Sequence, residues 1–219
     1  MQRFGNNGIE GDVPDVVIGR MPIYLRALVL LNSQDIKDVS SHQLGDLLGI
    51  TPAQIRKDLS YFGRFGKQGK GYSVAHLSSA IREVLGVVPG VQWPVALVGV
   101  GSLGLALLGY PNFGREGFRI VEAFDVDPQQ IGRTVSGLTI RPIHELNRVL
   151  GESQVRIAIV AVPASQAQQV VDQLVSAGVR SVLNYAPYSP RVPDDVRVSN
   201  IDPVLSLQAM TYFVKEDLV

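Results

Sequence analysis

The chain has 219 residues, 46% of them hydrophobic and 18% charged, a globular composition with enough material for one large or two small cores. It has no cysteine, which excludes disulfides, thiolate metal sites and thiol catalysis. Basic and acidic residues balance at 20 each, and no early stretch reads as apolar for long enough to span a bilayer or serve as a signal peptide, so a cytoplasmic protein with no membrane partner is expected.

Residues 1–14 are rich in Gly and Asn and predict a disordered N-terminus. Pro22–Asn32 carries apolar residues at helical spacing and predicts a first helix. Ser40–Gly49 predicts a second, with Ser40 or Ser41 as N-cap, Leu44, Leu47 and Leu48 turned inward, and Gly49 as the stop. Thr51-Pro52 is a cap followed by proline at the first helical position, which starts a third helix over Ala53–Phe62. Two short helices joined by a Gly-containing turn form a helix-turn-helix, whose second helix places its N-terminal residues at base edges in the major groove. Gln54, Arg56 and Lys57 have the chemistry for that task, with Ser60 on the same flanks. A solvated helix face accounts equally well for Gln54 or Lys57 taken singly.

Gly63–Tyr72 interleaves glycines with Arg64, Lys67 and Lys70 and reads as a basic hairpin, the form of a wing. Between Pro52 and Arg82 six basic residues face one acid, Asp58, a local stripe that points to a polyanion partner for this segment alone. A further helix over about Ser73–Leu85 closes a domain spanning 15–88, and Gly86–Pro94 reads as a linker.

A second domain, 91–201, opens on a buried strand, the turn Gly99-Val100-Gly101-Ser102-Leu103-Gly104 and an apolar helix. In such a turn the first glycine permits the bend, the second lets a pyrophosphate approach, and the third packs helix on strand; the helix N-terminus adds free N–H groups. The motif alone is weak. The strand Phe118–Phe124 strengthens it by ending at Asp125, where an acid accepts from ribose hydroxyls and repels a 2′-phosphate, which favours NAD(H) over NADP(H). Val155–Val162 is a further, buried strand, Ser165–Ala177 a helix and Arg180–Tyr185 another strand, so the expected fold is a doubly wound α/β Rossmann domain behind a winged helix-turn-helix. No residue stands out as a hydride-transfer partner: His42 and His76 lie in the DNA-like half, and His144 reads as a helix start. The chain is therefore expected to hold a dinucleotide as a ligand and not to be an enzyme, with no metal site. The tail from Pro203 to about Glu216 is an amphipathic helix that could equally pack on its own subunit or on another.

Ile55–Gly63 with the wing through Gly71-Tyr72, then Val98–Gly104, Tyr110–Gly114, Ala123–Pro128, Ala161-Val162-Pro163 and Leu183–Pro187 together resemble the Rex family of bacterial redox-sensing transcriptional repressors. The resemblance implies a homodimer on a palindromic double-stranded operator, released by NADH while NAD+ competes without releasing it, with the helix in 202–219 swapped into the partner. It further implies that Arg56 and Lys57 touch DNA, helped by the wing, while Asp58 is structural. The cofactor would lie on Gly99, Val100, Gly101, Ser102, Leu103, Gly104, Tyr110, Asp125, Val126, Ala161, Val162, Pro163 and Asn184. Arg26, Tyr110 and a neighbouring subunit's Asp202 would form a redox-responsive network. Pro203, where relatives often carry an aromatic, and Tyr185, where Phe is frequent, depart from the pattern. Three other readings stand beside it: an NAD-dependent oxidoreductase with an N-terminal dimerisation domain, a CoA-binding Rossmann protein, and a DNA-binding module whose Rossmann half only dimerises.

Overall fold

A computed structural model describes residues 13–67, apart from the side chain of Lys67, and 70–215. The expectation of disorder over 1–14 falls outside the described residues up to residue 12, and so does Glu216 at the end of the tail. The chain forms two compact units, one through Val91 and one from Gln92.

In the first unit, α1 (Asp15–Ser33), β1 (Asp38–Val39), α2 (Ser41–Leu48), α3 (Pro52–Ser60), β2 (Gly66–Lys67), β3 (Gly71–Ser73) and α4 (Val74–Leu85) follow in order. Helix α1 starts seven residues before Pro22 and runs through it. Proline deprives the Ile18 carbonyl of its helical partner, but Ile18 and Pro22 both lie on the exposed side, where water meets that carbonyl. Burial of Val17, Met21, Tyr24, Leu25 and Leu28 on the opposite face holds the helix continuous. By length and hydropathy α1 is apolar enough to cross a bilayer, which corrects the sequence expectation; its inner face is spent on the core of this unit.

The capping signals are met. Ser40 accepts from the Gln43 N–H while the Gln43 side chain returns to the Ser40 N–H, a reciprocal capping box, and Thr51 accepts from Gln54. Leu44 is buried, but Leu47 is 48% exposed and does not face inward as its spacing suggested. Strand β3 pairs antiparallel with both β1 and β2, so the basic hairpin is the outer half of a three-stranded sheet in the order β1-β3-β2. The two-residue strand β1 carries no periodicity from which a sequence reading could find it.

The second unit is built on β4 (Trp93–Val98), α5 (Ser102–Leu108), α6 (Asn112–Arg115), β5 (Phe118–Asp125), β6 (Thr134–Val135), β7 (Leu138–Pro142), α7 (Leu146–Gly151), β8 (Ile157–Val160), α8 (Ala164–Ser176), β9 (Ser181–Asn184), β10 (Arg197–Asn200) and α9 (Pro203–Val214). The sheet order is β10-β9-β8-β4-β5-β7-β6, parallel except for the β6–β7 hairpin at one edge. The chain order reverses between β4 and β8. Alternate residues of β4 feed two cores, Ala96 and Val98 on the face covered by α7 and α8, Val95 and Leu97 on the other with Leu107 of α5. Burial on both faces explains why β4 and β8 read as unbroken apolar runs. His144 sits exposed in a short 3-10 turn after β7.

Candidate functional site

The first candidate surface is the exposed side of α3 and the hairpin beside it. Ile55, Asp58 and Leu59 are buried, which leaves Arg56, Lys57 and Ser60 in solvent on one side of the helix. Arg56 Nη1 donates to Ser41 Oγ at 2.9 Å, and the Ser60 hydroxyl donates to the Lys57 carbonyl at 2.6 Å. Arg56 borders an open notch of about 630 Å³ shared with the start of α2 and with Lys70 and Tyr72 of the hairpin. Lys70 pairs with Asp38 at 3.6 Å, and Arg64 is exposed on the approach to β2. Lys67 closes β2, and its side chain lies outside the described residues.

Gln54 departs from its expected place among solvent-facing readers. It is half-buried, and its Nε2 donates to Asp58 Oδ1 at 2.6 Å. Asp58 is fully buried and also receives Arg20, which raises the arginine's pKa chiefly through that hydrogen bond, and the Tyr24 hydroxyl. Burial alone would push the Asp58 carboxyl up, but the donors from Arg20, Tyr24 and Gln54 outweigh it and hold the group below the usual carboxylate range. Burial and the bond to Asp58 push the Tyr24 phenol well up. Sequence alone assigned Asp58 a structural place only through resemblance; its partners on α1 lie 34 and 38 residues away and leave no local signal.

The second candidate site is a cleft of about 240 Å³ above the carboxyl ends of β4, β5 and β8, where the strand order reverses. Open α/β sheets bind ligands at that place. Its floor is the glycine turn. Gly99 has φ +92°, and a Cβ there would collide with the Ala161 carbonyl; a Cβ on Gly104 would collide with the Gly99 carbonyl. Gly101 is different, with no atom within 4 Å of a Cβ position. Two glycines are thus required by the fold, and the third leaves a bare approach to the backbone, which suits a bulky anion such as a pyrophosphate.

Asp125 ends β5 within this cleft. One oxygen accepts from the Val126 and Asp127 N–H groups at 2.7 and 2.8 Å, and the other accepts from the Val100 N–H inside the glycine turn. The carboxylate therefore fastens the turn to β5 as well as facing the cleft. Val126, Ala161, Val162 and Pro163 supply an apolar wall, with Gln130 and Gln166 as further polar groups. Ser102 and Leu103 are exposed in the first turn of α5. The residues fit a dinucleotide: a bare turn, a carboxylate edge and a wall of apolar side chains. Among the described residues no three His, Asp or Glu side chains gather as a metal site.

Asn184, which the resemblance places with the cofactor, is engaged in the loop after β9. It is fully buried, its Nδ2 donates to the carbonyls of Ala186 and Tyr188 and to Asn200 Oδ1, and its Oδ1 accepts from the Ala186 N–H. Those bonds tie up the Nδ2–H groups and one lone pair of Oδ1 in that loop, and Asn184 does not line the cleft. Tyr110 is half-exposed after α5; its hydroxyl accepts from Asn112 Nδ2 at 3.1 Å, and its ring meets Phe113 edge-on. Arg26 is exposed on α1. Asp202 caps α9 by accepting from the Val204 N–H at 2.9 Å. Pro203 takes the first position of α9, where a missing N–H costs no helical bond. Helix α9 buries none of its residues, and Leu205, Leu207, Met210 and Phe213 are each 60% exposed or more, so the described residues of its own unit do not cover it.

Family models match both units: one described as "Putative DNA-binding protein N-terminus" over residues 12–60, and one described as "CoA binding domain" over residues 91–188. A redox-sensing transcriptional repressor Rex of Roseiflexus sp. (strain RS-1) is 50% identical over 94% of this chain and 92% of its own. The protein of that name from Syntrophobacter fumaroxidans (strain DSM 10017 / MPOB) is 43% identical over 91% and 95%. Among solved structures, RSP in complex with β-NAD+ and operator DNA has a TM-score of 0.87 at 32% identity, covering 95% of this chain and 96% of that one. RSP in complex with β-NADH has a TM-score of 0.83 at 30% identity, covering 95% and 98%.

Proposed function

The chain belongs to the Rex family of redox-sensing transcriptional repressors, and from that membership we propose that it binds operator DNA as a homodimer and is released when NADH occupies the cleft above β4. It is a regulator and not an enzyme. The observation that carries the reading is the likeness, over nearly the whole chain, to a repressor crystallised with β-NAD+ and operator DNA. A cytoplasmic location goes with it.

Arg56, Lys57 and Ser60 on α3, with Arg64, Lys67 and Lys70 around the hairpin, form the DNA-facing set. Phosphate contacts from the hairpin position the protein, and contacts from α3 specify the sequence. In the cleft, the bare backbone at Gly101 takes the pyrophosphate, Asp125 and Val126 the adenosine ribose, and Ala161, Val162 and Pro163 the apolar flank. NADH and NAD+ differ only at the nicotinamide ring, in one hydride and one positive charge, so any difference in their effect arises there. Tyr110, Arg26 and a neighbouring subunit's Asp202 are the groups assigned to sense it. The uncovered α9 is the element exchanged between subunits.

A ligand shifts DNA binding only through unequal affinity for two states, typically by about 1–3 kcal/mol. The test is fluorescence anisotropy on a palindromic operator with NADH and NAD+ added separately. NADH should weaken operator binding by roughly five- to 150-fold, and NAD+ should not. Equal effects of the two coenzymes refute the reading. The match to a CoA binding domain names a rival ligand for this cleft; CoA that displaces NADH at micromolar concentration would favour it.

A further inference from the structure

Asp58 lies on α3, between exposed Arg56–Lys57 and Ser60, yet it has no solvent exposure. Arg20 forks onto both of its oxygens, Nε to Oδ2 at 2.6 Å and Nη2 to Oδ1 at 2.8 Å. The Tyr24 hydroxyl donates to Oδ2 and Gln54 Nε2 to Oδ1, each at 2.6 Å. A carboxylate offers about four acceptor sites, and all of them are met.

For packing alone this arrangement is wasteful, because a buried ion pair is often no more stabilising than apolar residues of similar volume. Apolar side chains could join α1 to α3. They could not orient an amide. The two flipped states of a glutamine amide have almost the same shape and differ only in which end donates. A carboxylate can only accept, so Asp58 selects the state with Nε2 inward. Gln54 is then left with one Nε2–H and its Oε1 in fixed order, in the first turn of α3. Donor and acceptor side by side match adenine, whose N7 accepts and whose N6 amino group donates.

We propose that Asp58 is a positioning residue for base reading: it holds the Gln54 amide in the single orientation that meets an adenine edge, and Arg20 and Tyr24 make α1 and α3 one rigid body around it. This rests on the operator binding proposed above. Gln54 thus returns to the DNA-facing set as a buttressed reader and not as a free surface side chain.

The test uses the full-length protein carrying Asp58→Asn, Tyr24→Phe or Gln54→Ala. Each is bound to the operator and to a panel in which every base pair of the half-site is changed in turn, with NADH fluorescence as a control on the second unit. An asparagine at 58 can both donate and accept, so it admits both Gln54 flips. Gln54→Ala should lose discrimination at one position per half-site by about tenfold or more. Asp58→Asn should lose it at that same position, and Tyr24→Phe should do so more weakly, while other positions and NADH affinity stay unchanged. If circular dichroism shows Asp58→Asn to be unfolded, the double variant Arg20→Met with Asp58→Leu decides, because apolar side chains can join the helices but cannot orient the amide. Full preference retained by the deciding variant, or by Gln54→Ala, overturns the proposal, and so does a uniform loss at every position, which marks a purely structural cluster. A wild-type chain that cannot tell operator from random DNA overturns the functional reading along with it.

Discussion

Alanine at position 101 separates the two duties of the glycine turn. Gly101 has φ −70° and ψ −163°, extended backbone that any residue adopts. A methyl group there meets no protein atom within 4 Å. Gly101→Ala should therefore cost the fold nothing by sterics, and the loss of glycine's freedom in the unfolded chain should add about 0.4–1 kcal/mol of stability. For a chain of this size that is a rise of roughly 1–4 °C in melting temperature. The same methyl stands where the pyrophosphate is assigned. Forcing an extra methyl into a filled space costs about 1–3 kcal/mol, which is roughly five- to 150-fold in the Kd for NADH. Gly104→Ala provides the opposite control: its Cβ would drive into the Gly99 carbonyl, so it should destabilise by about 1–3 kcal/mol or more. The assay is a thermal melt beside an NADH fluorescence titration on each variant. Wild-type NADH affinity in Gly101→Ala refutes the assignment of that backbone to the cofactor, and a melting temperature that falls by several degrees refutes the steric argument.

Asp125→Ala should lower stability and NADH affinity together, because it orphans three backbone N–H groups as well as the ribose edge; the stability part should be about 1–3 kcal/mol by chemical denaturation. An unchanged denaturation midpoint would show that the carboxylate does not hold the turn. Arg56→Ala should weaken operator binding roughly ten- to a hundredfold and random DNA much less, if its guanidinium reaches a base. Equal loss on both, with a shallower salt dependence, assigns it to phosphate. Acid stability should report on Asp58. Its folded-state pKa is depressed, so its contribution is present above the unfolded value near pH 4 and is lost as pH falls through the folded value. Tyr24 is raised, so its share is whole below about pH 10 and is lost as pH climbs past it. Urea midpoints followed by circular dichroism from about pH 7 down to pH 2.5 should fall in the wild type, and the fall should flatten in Asp58→Asn; parallel curves would exclude the cluster as the source.

Local chemistry determined a large part of this protein. Ser40, Thr51-Pro52 and Ser73 fix helix starts through bonds made within three residues, so α2, α3 and α4 are legible without a fold. The glycine spacing at 99, 101 and 104, and an acid at the end of the next strand, likewise announce a dinucleotide cleft, because strand, turn and helix are consecutive in the chain. Tertiary structure decided what depends on distant partners. Pro22 reads as a boundary, yet α1 continues through it because its buried face outweighs one missing hydrogen bond. The resemblance places Asn184 at the cofactor, yet its bonds to Ala186, Tyr188 and Asn200 engage it in a loop that only the tertiary structure reveals. Asp125 reads as a ribose acceptor, while its bond to Val100, 25 residues earlier, which makes it a fastener of the turn, is visible only in the fold. Which polar atoms of Gln54 are free is set by Asp58, and Asp58 is set by Arg20 and Tyr24 on another helix. A side chain's type is written in sequence, but its unspent valences are known only once its neighbours are in place.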